Sequence, residues 1–136
     1  MSDKKTEQLI EQAKQVARHA YSPYSRFKVG AALMDQYGNI YSGCNVENVS
    51  FPCGVCAETS AIAQAVSSTG SAMKIDTLVI YTPTASITSP CGNCRQVIHE
   101  FSTSATKVIC VCNESVQLTL CIEELLPHAT NISLDK

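Results

Sequence analysis

The sequence predicts an α/β fold, a sheet covered by helices on both faces. Three observations carry that prediction. Residues 75–81 and 107–112 are short apolar runs rich in β-formers, which read as buried strands. Residues 4–20 place apolar side chains at helical spacing, and 56–66 is rich in alanine. The two kinds of segment alternate, in the order α-β-β-α-β-α-β-β-α.

Each segment has a local reason. Leu9, Ile10, Ala13, Val16, Ala17 and Ala20 form one helical stripe, and Pro23 is the expected stop. Residues 27–33 read as a strand, with apolar odd positions and an alternation that Ala32 blurs. Tyr37-Gly38-Asn39 turns the chain, and 40–44 returns as the second strand of a hairpin. Residues 45–54 are polar, contain Pro52 and read as loop. The helix over 56–66 should bury Ala57, Ala61, Ile62 and Ala65, and 67–71 should break it. After the strand at 75–81 come a loop over 82–90 and a helix over 91–101, with Val97, Ile98 and Phe101 inward. A strand at 107–112, an alternating strand through Val116, Leu118 and Leu120, and a short helix over 122–126 ended by Pro127 complete the order.

At 136 residues the chain is expected to be a single domain, 1–136, with one core. It is 45% hydrophobic and 16% charged, which leaves apolar surface suited to burial between subunits. A net charge of −2 without a basic run excludes a nucleic-acid footprint. No apolar run approaches the ~20 residues of a membrane helix, and the first eight residues are too polar for a secretory signal. Eight cysteines in that context point to reduced thiols, a cytoplasmic location and metal binding in place of a disulfide framework.

The chemistry concentrates in Cys56-Ala57-Glu58 and Pro90-Cys91-Gly92-Asn93-Cys94. Three thiolates hold a tetrahedral zinc and leave its fourth position open for water. Glu58 is too close to Cys56 to be an obvious ligand and is well placed to handle that water's protons. A Cys₃ or His/Cys₂ zinc, a Glu that is not a ligand and a later Pro-Cys-x-x-Cys form the pattern of the zinc deaminases as a class. Both ligand segments open helices, where the positive end of the helix dipole favours thiolate over thiol at Cys56, Cys91 and Cys94. The main rival is a closed, structural Cys₄ site that adds Cys53. It is disfavoured because 34 residues separate Cys56 from Cys91, against roughly 15–20 in common zinc ribbons. A closed site would also leave Glu58 without a role. Cys44, Cys110, Cys112 and Cys121 read as small buried hydrophobes, and His19, His99 and His128 lie outside the motifs.

From about Ala20 to Pro127 the chain resembles the small homotetrameric, zinc-dependent cytidine deaminases of pyrimidine salvage. The blocks that carry the likeness are 24–33 (YSRFKVGAAL), 43–48 (GCNVEN), Cys56-Ala57-Glu58, 89–97 (SPCGNCRQV) and Glu124-Leu125-Leu126-Pro127. The resemblance implies a three-layer α/β/α sandwich with a five-stranded mixed sheet and one zinc per subunit on Cys56, Cys91 and Cys94. It makes Glu58 the proton shuttle, stacks Phe27 on the pyrimidine, and gives Asn45 and Glu47 the ribose hydroxyl and the Ala57 backbone the base carbonyl. It implies a homotetramer with shared active sites, and a nucleoside substrate: cytidine and 2′-deoxycytidine, deaminated to uridine and 2′-deoxyuridine. A modified aminopyrimidine nucleoside of the blasticidin type is the alternative; Asn45 and Glu47 favour an ordinary ribose. Three positions depart from the family pattern: Thr59 where Arg commonly follows the catalytic Glu, Phe51 where Tyr often stands, and Thr130 where an aromatic follows the Glu-Leu-Leu-Pro block. With Thr59 in place of Arg, the helix N-termini and Arg95 are expected to supply positive potential to the metal.

Overall fold

The computed structural model describes residues 3–132, so the ends of the expected 1–136 domain lie outside the described residues. Its elements are helix α1 (Lys4–Ala17), strands β1 (Gly30–Asp35) and β2 (Ile40–Cys44), helix α2 (Ala57–Thr69), strand β3 (Ile75–Tyr81), helix α3 (Gly92–Glu100), strands β4 (Ser102–Val111) and β5 (Gln117–Cys121), and helix α4 (Ile122–Leu125). The five strands form one mixed sheet in the order β2-β1-β3-β4-β5. β3 and β4 run parallel, with Leu78 opposite Val108, and the other pairs are antiparallel.

Neighbouring residues of the central strands enter opposite cores. Ala31, Leu33, Leu78, Ile80, Val108 and Cys110 face α2, α3 and α4. Ala32, Met34, Val79, Tyr81, Ile109 and Val111 face α1 through Leu9, Ala13 and Ala17. This is the three-layer sandwich that the resemblance implies. It also explains the blurred pattern in β1: a strand covered on both sides has no polar face to alternate with, and all of Gly30–Asp35 is buried.

Two glycines set how closely the layers approach. A Cβ on Gly30 would lie 2.0 Å from the Ala13 carbonyl oxygen in α1. One on Gly43 would lie 2.5 Å from the Ala61 nitrogen in α2. Both helices therefore rest on strand backbone where no side chain intervenes.

The boundaries differ from expectation where long-range bonds replace local pattern. α1 stops at Ala17, not at 20. The chain after it is drawn away to pair with the loop that follows β2: Tyr21 N–H donates to Asn45 O, and Glu47 N–H to Tyr21 O. β1 begins at Gly30, not at 27, because the Asn45 side chain takes the place of a neighbouring strand. Val29 N–H donates to Asn45 Oδ1 at 2.8 Å, and Asn45 Nδ2 donates to Phe27 O at 2.8 Å. α2 runs past the expected break to Thr69, where Gly70 at φ 106° ends it. β4 starts at Ser102, ahead of the expected 107, with an irregular stretch in which the Thr106 hydroxyl donates to Ile75 O. β5 is an edge strand on which Leu118 is exposed and Leu120 reaches the core.

Candidate active site

The site lies beyond the carboxyl end of β3, where loops deliver the first residues of α2 and α3, a common place for ligands in open α/β sheets. Cys56 is the N-cap of α2 and Cys91 the N-cap of α3. Cys94, one turn into α3, is fully buried. The three Sγ atoms lie within 4.8 Å of one another, and among the described residues this is the one group of three or more His, Cys, Asp or Glu arranged to hold a metal. With Zn–S bonds of about 2.3 Å, a tetrahedral ion holds its sulfurs ~3.8 Å apart, so a small contraction of the group suits zinc. Cys53 is exposed on a 3₁₀ turn and stands outside the group, as do the three histidines.

The expectation that helix N-termini favour thiolate at all three positions needs correction. It holds for Cys91, which the Cys94 and Asn93 backbone N–H groups draw below the ordinary thiol range. Burial pushes the Cys56 and Cys94 thiols up, and the Glu58 charge adds to the push on both. A dication among the sulfurs is the counter-charge that ionises coordinating thiols. Chemically, the donor set fits zinc.

Glu58, in the first turn of α2, is 5% exposed, and burial raises its carboxyl above the usual range. A carboxyl so placed exchanges protons closer to neutral pH than a solvated one does. Ala57 is the first residue of the same helix, where backbone N–H groups lack an intrahelical partner. A cavity of about 290 Å³ joins this wall to the other side: Phe27, Asn45, Glu47, Cys56, Ala57, Glu58, Cys91 and Cys94 all line it. The structure thus brings together the residues expected to bind zinc, carry the proton and contact the substrate.

It also adds residues. Ser25, Thr82, Thr88 and Ser89 line the same cavity. The last three belong to a stretch that reads only as a polar loop after a strand. Ser25 carries a local signal, a hydroxyl two residues before Phe27 and able to close a turn on the Phe27 N–H.

Arg95 uses its guanidinium to hold three neutral acceptors. Its Nε donates to Pro90 O at 2.8 Å, Nη1 to Leu125 O at 2.8 Å and Nη2 to Ser89 Oγ at 3.0 Å. It clamps the loop carrying Cys91 to the end of α4, a positioning contact beyond the charge expected of it from the sequence. Thr59 presents a buried Oγ1 with no hydrogen-bond partner. Cys110 and Cys112 are buried as expected, burial pushing the Cys110 thiol up to about 11. Cys44 and Cys121 are only half-buried, and Cys121 is the N-cap of α4.

Comparison with known proteins agrees with this geometry. Residues 3–112 match the model of the cytidine and deoxycytidylate deaminase zinc-binding region, and the chain belongs to that family. It is 42% identical over 121 residues to a cytidine deaminase of Mycoplasma genitalium, covering 88% of this chain and 91% of the relative. A cytidine deaminase of Mycoplasma pneumoniae is 43% identical over 113 residues, covering 82% and 84%. The crystal structure of a Burkholderia pseudomallei cytidine deaminase superposes with a TM-score of 0.86 at 35% identity, covering 96% of this chain and all of that one. Family membership and donor set together make this a zinc enzyme, with one ion per chain.

Proposed function

We propose that the chain, as a single domain, catalyses hydrolytic deamination of cytidine and 2′-deoxycytidine to uridine and 2′-deoxyuridine with release of ammonia, in pyrimidine salvage. The observation that carries the reading is the buried Glu58 carboxyl beside three clustered sulfurs, in a cavity that also holds Phe27, Asn45 and Glu47. Cys56, Cys91 and Cys94 would hold the zinc. When bound, the ion supplies Lewis acidity that makes water nucleophilic near neutral pH.

The chain's own groups do the rest. A Glu58 carboxylate oxygen accepts the proton released by the attacking water. The same carboxyl delivers that proton to the pyrimidine ring nitrogen, then takes the remaining proton from the newly attached hydroxyl and passes it to the departing amine as the carbonyl forms, serving alternately as base and acid. The first-turn N–H of Ala57 points the base carbonyl, and the Phe27 ring covers the pyrimidine face. Asn45 and Glu47 hold the sugar.

The assembly belongs to the same proposal. Val49 and Phe51 are 79% and 74% exposed, and Tyr24, Val46 and Val55 extend this apolar surface. A cavity of about 430 Å³ opens onto it between Tyr24, Phe51 and Glu47. A surface of this kind is usually covered, and we assign it to other copies of the chain in a homotetramer with shared sites. No helix among the described residues is long and apolar enough to cross a membrane, and the free cysteines suit a reducing cytoplasm.

Purified, zinc-loaded protein should lower the absorbance of a cytidine solution at the long-wavelength edge of its ultraviolet band as uridine forms; an unchanged spectrum at stoichiometric enzyme would refute the reaction. Light scattering should give about four times the chain mass of 14.6 kDa. A fully active monomer would exclude shared sites.

A further inference from the structure

The hydrogen bonds around Glu47 are nearly all internal. Oε1 accepts from Tyr24 N–H at 3.0 Å and Ser25 N–H at 3.1 Å, and Oε2 accepts from the Ser25 hydroxyl. A carboxylate has about four acceptor sites, so one remains for a ligand donor. The Ser25 oxygen in turn accepts from Phe27 N–H at 3.0 Å. Between them Arg26 has φ 59°, the left-handed region that non-glycine residues seldom occupy. A turn of that kind persists where surrounding contacts over-determine it, and here the Ser25 hydroxyl and the Arg26 N–H bond to Ser22 O at 2.9 Å do so. Ser25 and Glu47 line both the site cavity and its larger neighbour.

We propose that Ser25 is a positioning residue for the sugar: its hydroxyl fixes the Glu47 carboxylate so that its one free acceptor site faces a sugar hydroxyl of the nucleoside. This deepens the deaminase reading and rests on it. The role is separable from base binding, because the Phe27 peptide stays tethered at its carbonyl by Asn45 when the Ser25 hydroxyl is removed. It is separable from the chemistry, because the Ser25 hydroxyl bonds to the Glu47 carboxylate and the Phe27 N–H, neither of which is the proton-carrying group.

The test compares Ser25→Ala and Ser25→Thr with the unchanged zinc-loaded enzyme. It reads KM and kcat for cytidine, and the inhibition constant of 2′,3′-dideoxycytidine, which has no hydroxyl on the paired sugar carbons. Ser25→Ala should raise KM for cytidine about tenfold, the weight of a hydrogen bond to a charged group, with kcat little changed. The inhibition constant of the dideoxy compound should stay within about twofold, and Ser25→Thr, which keeps the hydroxyl, should restore the KM. An unchanged KM in the Ala variant overturns the proposal. So does equal weakening of both nucleosides, or a Thr variant as impaired as Ala, because either shows general damage to the turn. Failure of the unchanged enzyme to deaminate cytidine is seen before any variant is compared; it overturns the reaction and this proposal with it.

Discussion

Arg95→Ala is expected to loosen the loop that carries Cys91, and the size of the effect follows from what the guanidinium holds. Its three bonds reach Pro90 O, Leu125 O and Ser89 Oγ, all at 2.8–3.0 Å. A hydrogen bond from a charged donor nets roughly 1.5–3 kcal/mol. The side chain is half-buried, so water replaces part of what is lost, and three bonds together should amount to about 3 kcal/mol. For a chain of this size that corresponds to a fall in melting temperature of roughly 10 °C. Because Cys91 rides on the clamped loop, zinc should pass to a chelator on the order of 10–100-fold more readily, the usual range for groups supporting metal ligands. Arg95→Lys separates geometry from charge. It keeps the charge but cannot span three acceptors, so it should recover about a third of the loss. Thermal melts and chelator competition on both variants provide the assay. A Lys variant equal to wild type in both would refute the clamp and leave charge as what Arg95 contributes.

Three further outcomes are expected. Glu58→Gln should keep zinc and fold while kcat falls about 10²–10⁴-fold, since an isosteric amide cannot carry the proton; zinc loss in that variant, by metal analysis, would mean Glu58 is a ligand. Cys53→Ser should retain one zinc per chain and most activity, whereas Cys91→Ala should lose both; equal zinc loss would revive a closed Cys₄ site. Asp35 is buried, which alone would raise its carboxyl, but bonds from Thr69, Asn39 and Tyr37 more than offset this and hold it below its usual 3.8. Its contribution is therefore complete above about pH 4 and is lost as pH falls through the lowered folded value. Asp35→Asn should lower stability at pH 7 and flatten the acid limb of a stability–pH curve, and an unchanged acid limb would contradict the assignment.

Much of this protein is legible in its sequence. Cys56, Glu58, Cys91 and Cys94 sit in short motifs whose spacing states the donor set. Helical and strand periodicities placed those motifs at helix starts, because such periods are local properties of backbone geometry. The roles of Phe27, Asn45 and Glu47 were legible only through resemblance, since an aromatic in a strand and polar residues in a loop have ordinary explanations. What tertiary structure decided were relations between distant segments. Asn45 substitutes for a strand partner of Phe27 and Val29, so it moved the start of β1 to Gly30. Arg95 follows Cys94 in sequence, yet its guanidinium reaches the carbonyl of Leu125. Helix-end logic assigned one direction to three thiols, and burial reversed it for Cys56 and Cys94. Residue type states which groups can donate, accept or ionise; which of them meet, and how much water each retains, is set by packing across the whole chain.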